Sequence, residues 1–65
     1  MYRIRDLRED RDLTQAQVAE ALHTTQQQYS KIETGKSDIS GEKLIKLSKL
    51  YGVSTDYILG LSKKP

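Results

Sequence analysis

Sixty-five residues allow one domain, and a chain this small buries only about 60% of its unfolded surface, so regular elements have to carry its stability. There is no cysteine, which excludes a disulfide framework and a thiolate metal site, and no apolar run nears the roughly 20 residues of a membrane span. Eleven Lys and Arg against nine Asp and Glu leave a net charge of +2, too small an excess for composition alone to mark a polyanion binder.

Met1 is read as the natural start, and no signal-peptide core follows it. The residues Met1–Arg11 predict a first helix. Ile4 and Leu7 face inward at i, i+3, while Arg3, Asp6, Glu9 and Asp10 face water. Arg5 and Glu9 form an i, i+4 pair worth a few tenths of a kcal/mol. Asp12-Leu13 is a short connection, with Leu13 as a hydrophobic staple before Thr14. Thr14 and Gln17 are spaced as a capping box: the hydroxyl accepts from the third backbone N–H, and the amide reaches back. Val18, Ala19 and Leu22 then form one apolar stripe. His23-Thr24 leaves room only for a sharp corner. Thr25 and Gln28 repeat the start signal, Tyr29 and Ile32 mark an inward face, and Gly35 is the expected left-handed stop. Residues 14–34 are therefore two short helices joined by a tight turn.

The outward face of the second of these helices carries Gln26, Gln27, Gln28, Ser30 and Lys31. A glutamine amide holds a donor beside an acceptor, matching the pair that adenine shows in the major groove. The alternative is that these are solubilising residues that favour helix.

Gly35–Ser40 is a polar loop in which Ile39 plugs the core. Ser40 caps a helix over Gly41–Tyr51, with Leu44, Leu47 and Leu50 along one face, Ile45 beside them, and Lys43, Lys46 and Lys49 opposite. Gly52 closes it. Ser54 caps a last short helix over Thr55–Leu59, with Asp56 in the dipole-favoured first turn, and Gly60 ends it. Residues 1–61 form the domain and 62–65 a basic, frayed tail. Charges nearly cancel up to Thr34, whereas lysines outnumber acids beyond it, which predicts a local basic edge and a moderate salt dependence of any phosphate binding. Phe and Trp are absent, so the core is aliphatic, with tyrosines at its margin. It is expected to comprise Ile4, Leu7, Leu13, Val18, Leu22, Ile32, Leu44, Leu47, Leu50, Val53 and Ile58. No strand, repeat or low-complexity tract is present. The fold class is all-α, a five-helix bundle. No nucleophile–base constellation, phosphate-cradling loop, metal cluster or cofactor motif occurs, so an enzyme is not expected.

From Arg8 to Gly60 the chain resembles the compact DNA-binding domain of the Cro/phage-repressor (XRE) helix-turn-helix family, the lambda-repressor-like type. The matching residues are Leu7-Arg8, Leu13-Thr14-Gln15, Val18-Ala19, Thr24-Thr25-Gln26-Gln27, the run from Ser30 to Lys36, Leu47 and Leu50-Tyr51-Gly52-Val53. The Thr-Thr-Gln-Gln run is especially similar to repressors of lambdoid phages. The resemblance implies a transcriptional regulator, a repressor of bacterial or phage origin, acting in the cytoplasm on double-stranded DNA. Helix 25–34 would lie in the major groove, with Gln26, Gln27 and Lys31 reading base edges and Gln28 adjacent. Gln15, Thr25, Ser30, Lys36, Ser40 and Gly41 would meet phosphates. Arg8 and Glu33 would form a partly buried ion pair. The family usually has glycine at the corner where His23 stands; histidine tolerates the left-handed region better than most residues. Tyr29 is expected to pack inward with its hydroxyl at the rim, or else to touch a phosphate.

One such helix reads few base pairs, so the expected partner is a palindromic operator bound by a homodimer. Tyr51, Val53, Tyr57, Leu59 and Leu61 are the candidate dimer surface; their alternative role is to cover a small monomer's core. No small-molecule ligand is evident. The rival reading is a protein-interaction module of the same fold, an antitoxin or adaptor, which an apolar groove far from the glutamines would favour.

Overall fold

The computed structural model describes residues 2–65. Among them the chain forms five helices and no strand: α1 (Ile4–Asp10), α2 (Gln15–Ala21), α3 (Gln26–Glu33), α4 (Gly41–Tyr51) and α5 (Thr55–Ile58). Among the described residues no helix is long and apolar enough to cross a membrane.

Side-chain caps set the starts of the last four helices. Thr14, Thr25, Ser40 and Ser54 all hold extended backbone, and each accepts a hydrogen bond from an N–H in the first turn that follows. The Thr14 box is complete. Its hydroxyl takes the Gln17 N–H at 3.1 Å, and the Gln17 amide oxygen takes the Thr14 N–H at 2.8 Å. Thr25 makes only the first half of such a box, accepting from the Gln28 N–H at 3.1 Å. The Gln28 side chain points elsewhere, so the second box expected from spacing is a single cap. Gly35, Gly52 and Gly60 sit at φ +82°, +67° and +78° and stop α3, α4 and α5. His23 takes φ +56° at the corner, as expected of the residue in glycine's place, and Asp12 takes φ +54° to end α1.

The first helix is shorter than its hydrophobic pattern suggested. It begins at Ile4, with Arg3 as its cap residue, and the Arg3 N–H donates across the molecule to the Ile58 carbonyl at 2.7 Å. Tyr2 and Arg3, which the expected helix included, are not helical, and Met1 lies outside the described residues.

The core draws from every helix. Ile4 and Leu7, Val18 and Ala19, Leu22, Tyr29 and Ile32, Leu47, Tyr51 and Ile58 are buried together. Leu13, Ile39, Leu44, Val53 and Tyr57 pack half-buried against them, so the expected staple and loop plug both reach the core. Two expectations are corrected. Leu50 is 44% exposed, and Tyr51 takes the inward position one residue later. Two of the four tyrosines are not marginal either: Tyr29 is 0% and Tyr51 5% exposed, and both hydroxyls are buried without a hydrogen-bond partner among the described residues. That removes Tyr51 from the candidate dimer surface and Tyr29 from any contact with a phosphate. A phenol carries a large apolar area, and in a chain without Phe or Trp it fills the centre that no other side chain is large enough to fill.

Three arginines tie α1 to the rest. Arg8 donates to both carboxylate oxygens of Glu33 at the end of α3. Arg3 bonds the carbonyls of Tyr57 and Ser62 and lies 4.4 Å from the centre of the Tyr57 ring. Arg11 bonds the Tyr51 carbonyl at 2.8 Å and lies 4.8 Å from the centre of that ring. Both of these last two place a cation at the carbonyl end of a helix, where the dipole favours it.

Candidate nucleic-acid interface

Helices α2 and α3 meet across the three-residue corner Leu22–Thr24, held by the Thr24 N–H donating to the Ala19 carbonyl at 2.9 Å. This fixes the outer face of α3 beside the first turn of α2. Gln15 from α2 and Gln26, Gln27, Ser30 and Lys31 from α3 line one shallow, open depression. Gln26, Gln27 and Lys31 are exposed, and Gln15 and Ser30 are half-buried. Two amides and an amine thus project from one short rigid rod. Its inner face is anchored by Tyr29 and Ile32.

Gln28 stands apart. It is exposed but does not line the depression, because it lies about 130° around the helix from the middle of that face at 3.6 residues per turn. Thr25 and Ser40 are exposed caps whose oxygens accept from backbone N–H groups. A hydroxyl used as an acceptor keeps its own hydrogen, so each retains one donor for an anion. Lys36 and Gly41 are exposed on the segment after α3. The Ser37 N–H bonds the Lys31 carbonyl at 3.1 Å and folds this segment back against α3. The first turn of α2 leaves N–H groups without helical partners, a setting that suits an oxyanion near Gln15.

Behind the depression lies a partly buried polar cluster. Arg8 Nε and Nη2 meet Glu33 at 3.0 and 2.9 Å, and Arg8 Nη1 donates to the Leu13 carbonyl at 2.8 Å. The side chains are 14% and 3% exposed, which places the expected ion pair inside the protein. Burial by itself raises the pKa of Glu33. Hydrogen bonding from Arg8 and Gln15 outweighs that and holds the carboxyl below its usual range. Burial, with Glu33 close by, pushes the Tyr29 phenol well up. The Gln15 Nε2 reaches Glu33 Oε1 at 3.4 Å, a link that spacing in sequence does not reveal.

Of the candidate dimer residues, Leu61 is 75% exposed, while Val53, Tyr57 and Leu59 are half-buried. Among the described residues no group of three or more His, Cys, Asp or Glu is gathered as a metal site.

A family model described as helix-turn-helix matches residues 4–58. The chain is 40% identical over 63 residues to YobD, an uncharacterised HTH-type transcriptional regulator of Bacillus subtilis, covering 97% of this chain and 56% of that protein. It is 40% identical over 65 residues to the HTH-type transcriptional regulator ImmR of the same organism, covering 95% and 51%. To YonR, an SPbeta prophage-derived uncharacterised HTH-type transcriptional regulator of Bacillus subtilis, it is 39% identical over 57 residues, covering 88% and 53%. The chain therefore spans about half the length of these curated relatives. No solved structure matches it.

Proposed function

The chain belongs to the XRE-type helix-turn-helix family, and from that premise we propose that it is a sequence-specific double-stranded DNA-binding transcriptional regulator that lays α3 in the major groove. The single observation that carries the reading is the exposed row of Gln26, Gln27 and Lys31 on a helix whose other face is locked into the core. Amide pairs suit adenine edges, and an amine suits the acceptors of guanine. Gln28, turned away from the depression, flanks this reading head. Gln15, Ser30, Thr25, Lys36, Ser40 and Gly41 supply donors to the phosphates on either side, fixing register without reading sequence. With two exposed lysines among these residues, the salt dependence is moderate.

Repression by occupying a promoter is the expected mode, in a bacterial cytoplasm, on chromosomal or phage DNA and without catalysis. The likeness to ImmR and YonR, both HTH-type transcriptional regulators and the second prophage-derived, supports the regulator part of this reading. Two copies would bind as a homodimer through Leu61 and the edges of Val53, Tyr57 and Leu59. The interaction-module reading lacks support: the exposed apolar residues of α4, Ile45 and Leu50, lie about 140° apart around the helix and form no continuous groove.

Selection of bound duplexes from a random pool by the full chain tests the proposal. The expected product is an inverted repeat with half-site centres about 34 Å apart. Failure to enrich any sequence would overturn it.

A further inference from the structure

We infer that Glu33 is a positioning residue for DNA binding, acting through Gln15 by fixing which end of that carboxamide faces the groove. The inference rests on the DNA-binding reading above. A carboxamide is nearly symmetric in shape, but its two ends are opposite in chemistry: one accepts and the other donates. Left alone at a surface, Gln15 would present either end. A carboxylate oxygen only accepts, so Glu33 selects the Nε2 end, at 3.4 Å from its Oε1. The same oxygen also takes Arg8 Nη2 at 2.9 Å, and the other takes Arg8 Nε at 3.0 Å. Glu33 is thus clamped on one side and clamps Gln15 on the other. The amide nitrogen has two hydrogens. One is spent on Glu33, and the second is left for the depression that Gln15 shares with Gln26, Gln27, Ser30 and Lys31. That hydrogen suits a phosphate oxygen; the carbonyl end would repel one. The buried ion pair therefore sets the chemical sign of a surface contact as well as joining α1 to α3.

Glu33→Gln separates this role from simple charge. Removing a negative charge near DNA should by itself tighten binding. Loss of the clamp should weaken it, because Gln15 is freed to turn its oxygen outward. The test is a double-mutant cycle with the wild type, Glu33→Gln, Gln15→Ala and the double variant, each titrated against the duplex recovered from selection. Glu33→Gln is expected to weaken binding about three- to tenfold when Gln15 is present and not at all in the Gln15→Ala background. Equal weakening in both backgrounds, or a Gln15→Ala variant that binds like the wild type, would overturn the inference while leaving DNA binding intact. A wild type that binds no duplex would instead remove the reading beneath it. If Glu33→Gln does not fold, hydrogen exchange of side-chain amides in the wild type decides. The Gln15 amide should exchange several-fold more slowly than those of Gln26 and Gln27, and equal rates would contradict the clamp.

Discussion

Arginines hold the middle of α1 and its two ends by different physics. In the middle of the helix, Arg8 meets a carboxylate that is 3% exposed. Near its ends, Arg3 and Arg11 meet backbone carbonyls and lie over tyrosine rings. A buried carboxylate deprived of its cation has nowhere to go. A helix-end carbonyl deprived of its arginine can turn to water. The Arg8 side also backs directly onto the candidate interface through Glu33 and Gln15, whereas the Arg3 and Arg11 side fastens the C-terminal helices. One region joins α1 to α3 beside the candidate interface; the other closes the bundle.

The difference is largest in the stability of truncations. Arg8→Ala should cost about 3–5 kcal/mol in urea unfolding, since it strands the Glu33 charge. Replacing both partners by Met and Leu should recover much of that loss, and failure to recover would mean that the pair does more than satisfy itself. Acid should act on the same link. The folded pKa of Glu33 is lowered from 4.5, so its contribution is fully present above that value and is lost as pH falls through the lower folded value. Thermal melts should show this acid loss in the wild type and a smaller one in Arg8→Ala. Arg11→Ala should cost only about 1 kcal/mol by the same unfolding assay, because the Leu7 and Tyr51 carbonyls it releases can turn to water and the ring contact is weak. A loss as large as that of Arg8→Ala would erase the contrast.

The smallest expected effect is local. Thr14→Ala should cost about 0.5–1 kcal/mol by opening the box at the start of α2, with folding otherwise unchanged. Because that turn bears Gln15, the same variant should weaken DNA binding slightly more than its stability loss explains.

Punctuation was the legible part of the chain. Thr14, Thr25, Ser40 and Ser54 start helices where their short polar side chains can reach the orphan N–H groups, and α4 runs over the residues its cap and Gly52 delimit. What periodicity left open was which of two neighbouring stripes turns inward. Leu44-Leu47-Leu50 and Leu44-Leu47-Tyr51 both have helical spacing, and the position of α1, whose Arg11 grips the Tyr51 carbonyl, goes with the second. Partners 40 or more residues away leave no local signal, so the fates of Arg3 and Arg11 were hidden. The glutamine row was visible as a pattern. That Gln28 lies off it follows from 3.6 residues per turn, whereas Gln15 joins it only because of how α2 and α3 are set against each other.

The most direct test of the central claim, that the outward amides of α3 read bases, compares wild type and Gln27→Ala on the selected duplex and on a scrambled one at the same salt. The expected result is a loss of about 1–3 kcal/mol, roughly five- to 150-fold in Kd, on the selected duplex and little change on the scrambled one. An equal loss on both would mean that Gln27 grips the backbone, and would contradict the account.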